Sequence, residues 1–152
     1  DRDTHLSDFA MTASDGGGRR MPLHGRIRLH DHDCIGGIAT SGWRGRSLSF
    51  GIADSVTVLA HNAAAADVAA SLIANAITIS SPAITRQPAA SLVPDSDLKD
   101  RLVTVDVGPL SVKEIDHALA AGACFARHMF DDGQIMTAYA RLAGRSFIIT
   151  GE

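Results

Sequence analysis

The chain has 152 residues, 45% of them hydrophobic, with 17 acidic against 14 Lys and Arg side chains and a formal net charge of -3. That is enough apolar material for one compact domain with its own core, and the charge balance offers no basic footprint for nucleic acid and no cationic helix for a membrane surface. Cys34 and Cys124 stand far apart without a CxxC spacing, so neither a disulfide framework nor a structural zinc site is indicated, and a reducing, cytoplasmic setting fits.

The opening stretch DRDTHLSDFAMTASDGGGRRMP is polar and ends in a glycine triplet, two arginines and Pro22. This composition predicts a flexible N-terminal segment over residues 1–24, followed by a domain over 25–152. Nothing at the start resembles a signal peptide, and no apolar run reaches the roughly 18 to 20 residues of a membrane span. The first residue is Asp1, and the true beginning of the protein is expected to lie upstream. GRIRLHDH then alternates, with Ile27 and Leu29 on one face and Arg26, Arg28 and His30 on the other, as in a half-buried strand. Residues 37–51 read as a loop rich in Gly and Ser, with a short strand, SLSFG, after the GWRGR turn. SVTVLA has the β-branched enrichment of a sheet strand.

Asn62 is a good N-cap for an alanine-rich helix running to about residue 76, since Ala has the highest helix propensity. Residues 80–100 hold Pro82, Pro88 and Pro94 and read as an irregular excursion. LVTVDVG reads as a strand. Ser111 and Glu114 have the spacing of a capping box for a second helix reaching towards Asp132 and Gly133. IMTAYARLAG and SFIIT read as two strands of a hairpin joined through Gly144 and Arg145. Strands and helices without βαβ regularity make the fold class α+β, with helices packed on an antiparallel sheet.

On the alanine helix, Asp67, Ser71 and Asn75 recur every four residues and share one face. A helix apolar on nearly all sides is normally buried, and a buried carboxylate needs a hydrogen bond, a charge partner or a metal. Oxygen donors of this kind suit a hard cation such as magnesium beside substrate phosphates. The same spacing also describes the solvent face of an amphipathic helix, with Asp67 near the favourable N-terminal end of the dipole. Both readings stay open on spacing alone. The 37–51 loop, with Thr40, Ser41, Arg44 and Arg46 among its glycines, offers groups that could cradle a phosphate. Its glycines serve turn geometry equally well.

The run GIATSGWRGRSLSFGIADSVTVLAHNAAAADVAASLIANAI resembles the ApbE-like group, and most closely its sister family of uncharacterised ApbE-related proteins. The shared features are TSG, SFG-x-AD, VTVL, AD-x-A-A-S and a closing IAN, over residues 38–77. The resemblance implies a T-fold-like partial domain and a flavin-related site. ApbE proteins are FAD:protein FMN transferases, which use magnesium to cleave FAD and attach FMN to a Thr of an acceptor protein. It implies Asp67 and Ser71 as metal ligands, and Thr40, Ser41, Gly42 and Asp54 in nucleotide binding. The function it implies is magnesium-dependent FMN transfer from FAD or, as the alternative, noncatalytic binding of flavin or another phosphorylated metabolite. Two departures accompany it. Gly51 stands where the family's H-x-x-D-P segment has its His, and the half of the domain that precedes this region in those families has no counterpart. The chain is therefore expected to be the C-terminal part of a longer domain, completed by a missing portion or by homo-oligomerisation. No catalytic residue is assigned.

Other metal-capable or nucleophilic groups carry blander expectations. HDHDC, residues 30–34, reads as an exposed strand end, because alternate residues of a strand point to opposite faces. His61, His117 and His128 read as surface or satisfied histidines. Cys124, within AAGACFARH, reads as part of a helix face packed on the sheet.

Overall fold

The computed structural model describes residues 7–9, 27–29 and 33–151. The chain divides into two compact units, Asp1–Ile35 and Gly36–Glu152. In the first, β1 (Ser7–Phe9) pairs antiparallel with β2 (Ile27–Leu29), with Phe9 opposite Ile27 and Ser7 opposite Leu29. The strand expected around Ile27 and Leu29 is present. Apart from residues 7–9, the 1–24 segment and its boundary lie outside the described residues, as do His30 to His32 of the HDHDC cluster.

The second unit is α+β, as the sequence leads one to expect. Its main sheet has the order β3-β4-β7-β8, antiparallel throughout. The strands are β3 (Gly37–Ser41), β4 (Ser55–Ala60), β7 (Thr137–Leu142) and β8 (Arg145–Thr150). Helix α1 (Ala63–Ala76) packs on β3 and β4, and α3 (Val112–Asp131) packs on β7, β8 and α1. Between them, β5 (Ile84–Pro88), the single turn α2 (Ala89–Leu92) and β6 (Leu102–Val107) make a two-stranded antiparallel ribbon with a bulge at Thr85 and Arg86. No helix among the described residues is long and apolar enough to cross a membrane.

The alternation of β4 explains its central place. Val56 and Val58 share one buried cluster with Ala138 and Ala140 of β7, Ile149 of β8, Ala70 and Ile73 of α1, and Ala118 and Ala126 of α3. Thr57 and Leu59, on the opposite face of the strand, are buried too. Both helices start where their sequences say. The Asn62 side chain accepts from the Ala65 N–H at 2.8 Å, and Ser111 and Glu114 form a reciprocal capping box.

Four expectations are corrected. Residues 37–41 are a strand, because their backbone pairs with β4 in register from Gly37 opposite Ala60 to Ser41 opposite Val56. SLSFG is not a strand. Its backbone is committed elsewhere: the Phe50 N–H donates to Asn75 Oδ1, and the Ser49 carbonyl accepts from Thr104 N–H at 2.8 Å. The 80–100 excursion holds β5 and α2, with Pro88 at the end of the ribbon, where its missing N–H interrupts nothing. The hairpin turn is also displaced by one residue. It is formed by Ala143 and Gly144, at φ 47 and 83, the two positive values a type I′ connection demands. Ala143 accepts this unfavourable region while its N–H donates to Asp54 Oδ2 at 2.7 Å.

Candidate functional site

Helix α1 sets the geometry of the predicted site. Ala66, Ala69, Ala70, Ile73 and Ala74 form its buried face. Small side chains allow the helix to lie directly on backbone. A Cβ on Gly37 would come within 2.3 Å of Ala63 N, and one on Gly51 within 1.8 Å of Ala74 O, distances no side chain tolerates. These glycines therefore serve the approach of the strand and the connection to the chain's own helix.

The opposite edge of α1 faces outward. Asp67 is exposed rather than buried, and Val68 and Leu72 beside it are 57% and 44% exposed. The expectation of a sunken carboxylate fails because, among the described residues, only one face of α1 meets other elements: four alanines and Ile73 fill that face, while Val68 and Leu72 stay exposed. Ser71 is half-buried, one turn beyond Asp67. Neither makes a side-chain hydrogen bond or ion pair with a described residue. Asn75, the third member of the row, has a different task. Its Oδ1 accepts from Phe50 N–H at 3.0 Å and from Ser49 Oγ at 3.2 Å, while Ser49 Oγ accepts from Gly51 N–H. It fastens the connection before β4 to the end of the helix.

Of the residues assigned to nucleotide binding, Gly42 and Asp54 lie together. Gly42 is buried, and a Cβ there would meet Asp54 O at 2.6 Å. The next residue's N–H, that of Trp43, donates to Ala53 O at 3.0 Å. Thr40 sits opposite Thr57 across the β3–β4 pair, with their hydroxyl oxygens 2.9 Å apart. Ser41 is the half-buried last residue of β3. Asp54 accepts from the turn at Ala143 and lies 3.5 Å from Arg44 Nε, so its carboxylate joins the 42–46 turn to the β7–β8 hairpin.

Sequence reasoning passed over Trp43. The Arg44 guanidinium lies over its ring, 4.4 Å from the centroid. Its Nε1 is buried and finds no acceptor among the described residues. A buried donor without a partner costs about 1 to 3 kcal/mol and is rare enough to require an explanation. A tryptophan directly after TSG, flanked by Arg44, was the available signal.

Asp67 and Ser71 present two oxygen donors suited to a hard cation, though few for a cage of protein ligands alone. Among the described residues, no group of three or more His, Cys, Asp or Glu side chains could hold a metal ion. Cys124, expected in the core, is exposed, since α3 buries Gly122 and Ala126 instead.

No curated protein and no solved structure matches the chain. A family model does, over residues 4–148, which is nearly the whole length: the chain belongs to the family described as AbpE bacteria.

Proposed function

We propose that this protein binds a phosphorylated ligand of the flavin-nucleotide class at the connection between β3 and β4, without catalysing FMN transfer. The observation that carries the proposal is Trp43 Nε1, buried and without an acceptor among the described residues. A phosphate or flavin carbonyl oxygen is the kind of acceptor it lacks, and Arg44 over its ring favours an anionic group. The resemblance to ApbE-related proteins, with which the family description is consistent, supplies the ligand class.

The exposed edge of Asp67 and Ser71 is the proposed magnesium contact. Two donors on one helix hold magnesium weakly, so the ligand's phosphates would complete the coordination. Bound there, the ion would neutralise phosphate charge. Gly51 argues for binding over transfer. A histidine at this position would drive its Cβ into the Ala74 carbonyl, so the acid–base group of the resembling transferases has no room here.

Flavin fluorescence titrations with FAD and FMN, with and without magnesium, test this. Saturable quenching that magnesium strengthens is expected. Trp43→Phe, which keeps a ring and removes the N–H, should weaken binding roughly tenfold, the worth of one hydrogen bond. Asp67→Ala should remove the magnesium dependence, and no AMP should be released from FAD. Absence of quenching by either flavin would reject the binding role. AMP release with FMN added to an acceptor would replace it with transfer.

A further inference from the structure

The outer face of α3 carries a pair of groups that the proposed flavin site does not use. Cys124 and His128 are four residues apart, so they neighbour each other on the helix surface. Both are exposed, and Cys124 Sγ lies 3.9 Å from His128 Nδ1. The helix fixes their direction. Its capping box sets the N-terminus, and the buried stripe of Ile115, Ala118, Leu119, Gly122, Ala126 and Met129 sets its rotation, leaving Cys124 and His128 outward.

The separation matches a metal bite. A zinc ion holds thiolate sulfur at about 2.3 Å and imidazole nitrogen at about 2.0 to 2.1 Å, which in a tetrahedral site puts the two ligand atoms about 3.5 Å apart. A small side-chain rotation covers the difference. Thiolate and imidazole together select a soft or borderline cation over magnesium, which prefers oxygen. Ligands mounted on one rigid helix lose little freedom on binding.

We propose that Cys124 and His128 chelate one divalent cation of the zinc class, with water in the remaining positions. This site is independent of the flavin reading. No third His, Cys, Asp or Glu among the described residues completes it, so the ion stays exchangeable and open to an outside ligand.

The test uses Co2+ as a spectroscopic probe on the full chain, kept reduced with a phosphine. One equivalent per chain is expected to produce a thiolate-to-cobalt charge-transfer band, which Zn2+ bleaches and excess Mg2+ leaves intact. Cys34→Ser should keep the band and Cys124→Ser should abolish it. His128→Ala should weaken cobalt binding about tenfold or more, at least the loss that follows removal of a supporting outer-shell partner. These substitutions are at exposed positions, so unchanged far-UV circular dichroism should accompany them. No band in the unaltered chain, a band that survives Cys124→Ser, or undiminished affinity in His128→Ala would each overturn the site.

Discussion

The row Asp67, Ser71 and Asn75 shows how identical spacing can hide different physics. Asn75 accepts two hydrogen bonds that stitch the 49–51 backbone to α1, whereas Asp67 stands in solvent. Removing the Asn75 amide strands the Phe50 N–H and the Ser49 hydroxyl in a partly buried place, and such orphaned groups cost about 1 to 3 kcal/mol. Asn75→Ala should therefore lower the melting temperature by several degrees, at about 2 to 4 °C per kcal/mol for a chain of this size. Asp67→Ala should leave stability within about 0.5 kcal/mol, its effect confined to ligand binding. Paired thermal melts check this. Equal destabilisation by the two substitutions would mean that Asp67 has a structural partner.

At the scale of elements, Glu114 at the start of α3 makes a pH-dependent contribution. Hydrogen bonds, first from Ser81 and then from the hydroxyl and N–H of Ser111, hold the Glu114 carboxyl at about 2, below its ordinary 4.5. The unfolded chain thus takes up this proton at higher pH than the folded one. The resulting stabilisation is complete above pH 4.5 and fades as the pH falls towards 2. In urea titrations from pH 2 to 7, the midpoints of the unaltered protein and Glu114→Ala should differ above pH 4.5 and converge near pH 2. A gap independent of pH would assign the loss to helix propensity or packing.

The capping box of α3 was legible in the sequence, as were Asn62, the strand SVTVLA and the closing hairpin, because each depends on neighbours within a few residues. What was missed depends on distant partners. Residues 37–41 are a strand only because β4 pairs with them, and SLSFG is denied strand pairing by bonds to Asn75 and Thr104. The candidate site divides along the same line. Oxygen-bearing residues at helical spacing could be found by inspection, but the exposure of Asp67 follows from which face α1 buries. The commitment of Asp54 to the Ala143 turn joins positions 89 residues apart.

For the whole molecule, the location of the core makes a prediction about autonomy. The principal buried cluster runs from Ile52 to Ile149, with Ala39 packed against it, and all of these residues belong to the Gly36–Glu152 unit. The main sheet and the β5–β6 ribbon close their ladders within that unit, and Gly36 N–H bonds to Ala60 O at its start. Hydrophobic burial scales with the apolar area withdrawn from water, so a unit that contains its own cluster contains most of its driving force. A chain reduced to residues 36–152 should therefore keep a helical circular-dichroism spectrum and melt in one cooperative transition, as small single domains do. Broad, probe-dependent melting of the shortened chain would show that residues 1–35 supply part of the core. Flavin titration of the same chain then separates folding from binding, because Trp43, Asp54, Asp67 and Ser71 all remain in it.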